Sequence, residues 1–180
     1  MENNQNLNQE EDRLFAARKN NLEKIIKMGI DPYPKSFNRT HMSNQIIDDL
    51  NKSEAEEIDE SQLENCKVSG RITAIRGQGK MVFIDLKDMG GIIQVAAKQD
   101  ILNEMFPLVK LLDIGDIAGF DGRIFRTRRG EPSVEAQKVI ILTKSMRPLP
   151  DKWAGLKDVE KRYRQRYLDL ISSDDSFQTA

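Results

Sequence analysis

Two side chains with recognition chemistry stand out in the stretch KMVFIDLKDMGGIIQVAAK, residues 80–98. Val82, Ile84 and Leu86 share one parity, and Met81, Phe83, Asp85 and Lys87 share the other. Successive side chains of a strand point to opposite faces, so Phe83 is an aromatic on the polar side. Gln94 lies between Ile93 and Val95, on the parity opposite to both. An aromatic ring and an amide on one open sheet face can hold a nucleic-acid base, by stacking and by hydrogen bonds to the base edge. The alternative is that a loop or helix covers Phe83, since single exposed apolar residues are ordinary. A strongly basic stretch, Arg126-Thr127-Arg128-Arg129-Gly130-Glu131, lies farther along.

Other chemistries find little to work with. One histidine, His41, and one cysteine, Cys66, do not make a zinc site by themselves. A single cysteine cannot form an internal disulfide either, which fits a reducing cytosol, and Cys66 reads as a small residue at the start of a strand. Arg76-Gly77-Gln78-Gly79-Lys80 contains Gly-x-Gly but lacks a following helix and a Gly-Lys-Ser/Thr ending. It reads as a tight turn and not as a phosphate-cradling loop.

The elements that must position Phe83 and Gln94 follow from periodicity. Asp88-Met89-Gly90-Gly91 supplies turn chemistry between two strands, so residues 81–97 form a β-hairpin. A strand precedes it over residues 67–76, with Val68, Gly70, Ile72 and Ala74 on one parity and Gly70 marking a bend or bulge. Residues 100–112 are helical in pattern, with Pro107 interrupting the helix or starting a second turn. Ala118, Phe120, Gly122 and Ile124 share a face of a fourth strand, residues 117–127. The fifth runs over 132–142, with a slip in parity at Gln137-Lys138 that indicates a bulge. Three strands, a helix and two strands is the order of an OB-fold, a five-stranded Greek-key barrel that binds oligonucleotides on its strand 2–3 face.

Ahead of this barrel, residues 1–10 read as disordered and residues 10–28 as a helix with Arg18, Lys19, Lys24 and Lys27 on its basic face. That face is either solvated or in contact with phosphates. Gly29 suits the left-handed position after the helix. Asp31-Pro32-Tyr33-Pro34 forces an extended connector anchored by Phe37, and Ser43 reads as the N-cap of a short helix over 43–53. Residues 54–64 are an acidic loop or weak helix. After the barrel come a proline-containing linker and a helical pattern over 158–171. The fold class is therefore α+β, mainly β: an OB-fold barrel with an N-terminal helix and a C-terminal linker and helix. The expected domains are residues 1–60, an N-terminal helical extension; 61–145, the barrel; and 146–180, a linker and the start of a further, truncated domain.

The charge is uneven. The chain has 180 residues and a net charge of −1, but residues 1–60 carry 8 Lys+Arg against 13 Asp+Glu, residues 61–150 carry 14 against 10, and residues 151–180 carry 6 of each. The barrel is thus the basic part, as a polyanion-binding domain requires, though a solvated charged face gives the same excess. No apolar run is long enough to span a bilayer. The polar, acidic start MENNQNLNQEED is unlike a secretory signal. A cytoplasmic protein without membrane partners is expected.

Three stretches, VSGRITAIRGQGKMVFIDLKDMGGIIQV, RTRRGEPSVEA and RPLPDKWAGLKDVEKRYRQRYLDLI, closely resemble the N-terminal, anticodon-binding part of class II lysyl-tRNA synthetases. DPYPKSF resembles the same family's lead-in. The barrel motifs are shared with aspartyl and asparaginyl synthetases, so the RPLPDKWAGL–RYRQRYLDLI junction is the more specific part. The resemblance implies that the barrel binds the anticodon of lysine tRNA. It implies that Phe83 stacks on an anticodon base and Gln94 reads a base edge from the next strand. It further implies that Arg76 contacts the anticodon and Glu131 reads a base from the strand 4–5 turn. Arg126, Arg128 and Arg129 would then hold backbone phosphates; for Arg76 and Glu131 the alternative is a plain surface charge. The parent enzyme would be a lysine–tRNA ligase using ATP and magnesium, dimeric through its catalytic domain. The family's catalytic motifs lie beyond this chain, which is expected to be inactive alone and to bind no cofactor or metal. The alternatives are the anticodon domain of an aspartyl- or asparaginyl-type enzyme, a general single-strand-binding OB module, and a protein-interaction module docking through the N-terminal helix.

Overall fold

Alternating apolar residues close into a barrel. In the computed structural model the described residues are 2–59, 63, 65–77, 79–148, 164, 167, 168 and 171, with backbone alone for 2–8. The strands are β1 (Cys66–Arg76), β2 (Met81–Asp88), β3 (Gly91–Lys98), β4 (Ile117–Arg126) and β5 (Pro132–Thr143). They are joined in the closed order β1-β2-β3-β5-β4, with β3 and β5 parallel and the other pairs antiparallel. Closure leaves no free strand edge. The parallel pair requires a long crossover, which β4 and the helical turns over 99–109 provide.

The barrel interior follows the expected parities. Val82, Ile84 and Leu86 are buried opposite Ala97, Val95 and Ile93, and Ala118, Phe120 and Ile124 fill the β4 side. Gly122 shares that face because a Cβ there would lie 2.1 Å from the Glu135 carbonyl oxygen of β5. The slip in β5 is a bulge at Gln137, since Asp121 pairs with Lys138 and Gly122 with Ala136.

In β1 the irregularity sits three residues later than expected. The register skips Thr73, with Ile72 opposite Leu86 and Ala74 opposite Asp85, so Ala74 turns to the outer face and Ile75 inward to the core. Gly70 has a different reason, close approach: a Cβ there would lie 2.4 Å from the carbonyl oxygen of Lys87.

The helices differ from expectation in two places. α1 runs over Glu2–Lys27, so the backbone of residues 2–10 is helical where the polar composition suggested disorder. α2 covers Ser43–Ala55, and Ser43 is its first helical residue with Met42 before it. The Ser43 backbone N–H and hydroxyl both donate to Asp88, at 2.9 and 2.6 Å, so the hairpin end of β2 anchors the helix instead of a serine cap. Gly29 follows α1 at φ 75°, the left-handed position expected of it. Phe37 anchors the proline connector by lying over Gly119, where a Cβ would come within 2.6 Å of its ring.

Residues 99–109 form three short pieces, α3 (Gln99–Leu102), a 3-10 turn (Asn103–Met105) and α4 (Phe106–Val109), with Pro107 in the first turn of the last. Of the helix expected over 158–171, only Arg164, Tyr167, Leu168 and Ile171 lie among the described residues, and all four are helical. Of the proline-containing linker, residues 145–151, only 145–148 lie among them.

Two units emerge: Met1–Leu14 with Arg147–Ala180, and Phe15–Met146, which contains the barrel. Within the second unit, Phe15–Lys27 of α1 is fastened to the barrel by a buried polar cluster. Lys144 Nζ donates to Asp113 and Asp116, at 2.5 and 2.6 Å, and to the carbonyl of Leu111. Asn21 Nδ2 donates to Asp113, and Arg18 donates to the carbonyls of Ile114 and Ser145. Arg18 is therefore buried against the barrel and is not part of an exposed basic face.

Candidate nucleic-acid interface

The outer face of the sheet is built from cross-strand rows, because residues directly opposite one another share a face. One row runs Arg76, Phe83, Ala96, Glu135, Arg123 across β1, β2, β3, β5 and β4. The next runs Ala74, Asp85, Gln94, Ser133, Phe125. The β4–β5 turn rises beside these rows. It is held by the Thr127 N–H to the Glu131 carbonyl at 3.0 Å and the Gly130 N–H to the Thr127 carbonyl at 2.8 Å, with Gly130 at φ 80°.

Rows and turn enclose a groove of about 900 Å³. All seven residues singled out in the sequence line it: Arg76, Phe83, Gln94, Arg126, Arg128, Arg129 and Glu131. These positions run from Arg76 to Glu131 and come from four strands and a turn.

Phe83 lies on the outer face, half-buried, opposite Ala96. Ala96, the smallest side chain on that row, adds little bulk beside the ring. Gln94 is on the expected face but is only 7% exposed, where an open position was expected. Its Nε2 donates to Glu131 Oε2 at 2.7 Å and its Oε1 accepts from the Ser133 hydroxyl at 3.3 Å. Both ends of the amide are thus fixed, and Glu131, itself exposed at the turn, folds over it.

Arg76 is a fork held by a fork. Its two terminal nitrogens donate to the two carboxylate oxygens of Asp85 at 2.5 and 2.6 Å. Those paired bonds hold the guanidinium above the ordinary arginine value, and so keep a planar cation in fixed orientation at the groove edge.

The three turn arginines are not equivalent. Arg126 donates to the Gly130 carbonyl at 3.1 Å and to Asn51 Oδ1 of α2 at 2.7 Å, and lies 3.5 Å from Glu54. It braces the turn against α2. Arg128 and Arg129 are exposed.

Sequence reasoning missed Met81, Lys98, Phe125 and Thr127 of the groove lining, and Asp85 and Ser133, which hold lining residues from behind. Phe125 carried the signal that identified Phe83, an aromatic on the parity opposite to Phe120 and Ile124. Asp85 was recognisable as outward-facing, but its pairing with Arg76 depends on the β1–β2 register. Lys98 and Ser133 had no local signal. Lys98 lines the groove and is held 2.6 Å from Glu135, which also receives Arg123 at 3.0 Å. Among the described residues no three His, Cys, Asp or Glu side chains gather where a cation could sit, and no helix is long and apolar enough to cross a membrane.

Chemically, the groove offers an aromatic platform, a fixed amide, an acceptor carboxylate and several cations, which is the set that single-stranded nucleic acid requires. Residues 66–142 match the protein family described as OB-fold nucleic acid binding domain, of the tRNA anticodon type. Over 170 residues the chain is 47% identical to a lysine–tRNA ligase of Dehalococcoides mccartyi, covering 94% of this chain and 34% of that protein. It is 46% identical to the lysine–tRNA ligase of Shouchella clausii, over 91% of this chain and 32% of the other. With that of Bacillus cytotoxicus it shares 43% identity, over 97% and 35%. The chain spans about a third of the length of these curated relatives. Residues 66–142 thus form an OB-fold nucleic acid binding domain of the tRNA anticodon-binding family, within a chain homologous to the lysine–tRNA ligases.

Proposed function

We propose that the barrel reads the anticodon of lysine tRNA for a cytoplasmic lysine–tRNA ligase. The observation that carries this reading is the convergence of Arg76, Phe83, Gln94 and Glu131 on one groove. Phe83 stacks on an anticodon base. Gln94 and Glu131 act as one unit: the carboxylate accepts from a base edge that donates, and the amide beneath it supplies a donor and an acceptor at fixed positions. Arg76, clamped by Asp85, presents its remaining N–H groups to the neighbouring base. Arg128 and Arg129 hold phosphates, and Arg126 keeps the turn that carries them in place.

Activation of lysine with ATP and magnesium, followed by transfer to tRNA, is the chemistry of the ligase as a whole, and its dimer is assigned to the catalytic domain. The barrel supplies recognition to that enzyme.

The test is a fluorescence-anisotropy titration of the chain with lysine, aspartate and asparagine anticodon stem-loops at two salt concentrations. A lysine-selective signal that persists at the higher salt supports base readout. Preference for the aspartate or asparagine loop would reassign the tRNA. Unselective binding that collapses with salt would reduce the barrel to a general cationic surface.

A further inference from the structure

The outer face of β2 and β3 is a ladder of directly opposed pairs: Asp85 with Gln94, Phe83 with Ala96, and Met81 with Lys98. Phe83 and Gln94, from the first two pairs, line the anticodon groove. The third lines that groove and also a second one, of about 950 Å³, which continues past it between the β1–β2 turn and the helical turns after β3. Met81 and Lys98 are the shared wall. Lys80, Gln99, Asp100, Asn103 and Glu104 line the rest of the second groove.

We propose that this second groove takes the base of a nucleotide flanking the anticodon in the same loop, stacked on Met81; the proposal rests on the anticodon reading above. Three observations carry it. Met81 is 37% exposed, two residues from Phe83 on the same face. Same-face neighbours on a strand lie roughly 7 Å apart, within reach of one nucleotide step in an unstacked strand. The flexible thioether makes favourable contacts with aromatic rings, so Met81 continues the stacking surface that Phe83 begins.

Second, the walls are fixed. The Gln99 backbone N–H donates to the Lys80 carbonyl at 2.9 Å, tying the β1–β2 turn to the end of β3. Lys98 is held by Glu135 at 2.6 Å, so its ammonium stands at a set place on the boundary between the grooves, where the connecting phosphate would pass.

Third, the charges select a base and not a phosphate for the interior. The lining carries Lys80 and Lys98 against Asp100 and Glu104, and Lys98 already pairs with Glu135, leaving no net attraction for an anion. Asp100 and Glu104 accept hydrogen bonds and do not donate, so a base edge turned toward them must donate, as an exocyclic amino group does.

The experiment uses the whole chain and lysine stem-loops in which each flanking nucleotide, and separately the central anticodon nucleotide, is made abasic. Met81→Ala is expected to weaken binding of the intact stem-loop by about two- to tenfold, the range of a sulfur–aromatic contact, with an unchanged melting temperature. One flanking abasic loop should bind more weakly to the wild-type chain and be indifferent to Met81→Ala. The central abasic loop should remain sensitive to it. Glu104→Gln should weaken preference for an amino-bearing base at that same flanking position. Equal affinity of Met81→Ala and wild type for the intact loop would overturn the proposal, as would an equal effect of Met81→Ala on every loop. Selectivity among anticodons is a separate readout. Its absence alongside flanking-base coupling would overturn the anticodon reading and leave the second groove standing.

Discussion

Replacing Phe83 with alanine separates recognition from folding. The ring sits on the outer face, between Arg76 and Ala96 in its row, while the barrel core on the other side of β2 is filled by Val82, Ile84 and Leu86. Loss of one aromatic stack on a base costs about 1–3 kcal/mol, which is about a five- to 150-fold weakening of stem-loop binding. The stability cost should be well below that of a core ring, about 1 kcal/mol, because the ring lies on the outer face and is only partly buried. Phe120→Ala is the contrast: that ring is fully buried, and its loss should cost about 3–5 kcal/mol. At about 4 °C per kcal/mol for a domain of this size, the two variants separate clearly in a thermal melt followed by circular dichroism. Anisotropy with the lysine stem-loop then reads affinity. Two results refute the reasoning. A melting loss for Phe83→Ala equal to that of Phe120→Ala would mean that the ring is core. Unchanged affinity with unchanged stability would mean that it faces solvent without touching RNA.

Gln94→Ala removes both fixed ends of the amide and frees Glu131, so the affinity ratio between lysine and aspartate loops should fall by about tenfold; a uniform loss for all loops would deny it a reading role. Lys144→Met leaves Asp116 buried without its cation, and should cost about 3–5 kcal/mol in a urea melt; a loss under about 1 kcal/mol would show that the cluster does not hold α1 to the barrel. Burial pushes the Cys66 thiol up to about 12 from 9.0. It should therefore resist alkylation at about pH 8.5 in the folded chain and react once urea unfolds it; fast labelling of the native chain would contradict its burial. The sign for stability follows. Below pH 9 both states hold the proton, and as pH rises from about 9 toward 12 only the unfolded chain releases it, so Cys66 contributes a loss of stability there that Cys66→Ala should remove.

The strands, their faces and their turns were legible in the sequence because those signals are local. Period-two alternation placed Phe83 outward and Val82, Ile84 and Leu86 inward without reference to any other strand, and Asp88-Met89-Gly90-Gly91 marked the hairpin. The slip at Gln137-Lys138 identified a bulge for the same reason. Local signals also misled where tertiary contacts compete. Polar composition suggested disorder for residues 2–10, whose backbone is helical. Gly70 suggested a bend, but the partner strand's carbonyl requires it to be small while the bulge falls at Thr73. Ser43 looked like a cap until the hairpin end supplied Asp88.

What only the tertiary structure decided is which distant groups meet. Closure of the barrel sets β5 parallel to β3, and that pairing alone brings Ser133 and Glu131 onto Gln94, burying an amide that alternation left open. The β1–β2 register, with its skipped residue, sets Arg76 against Asp85, and α2 draws Arg126 out of the row of turn arginines. Alternation specifies a face for each side chain, but not its neighbours across the sheet. Those neighbours are fixed by the register in which the strands close over a shared core, and the proposed recognition depends on them.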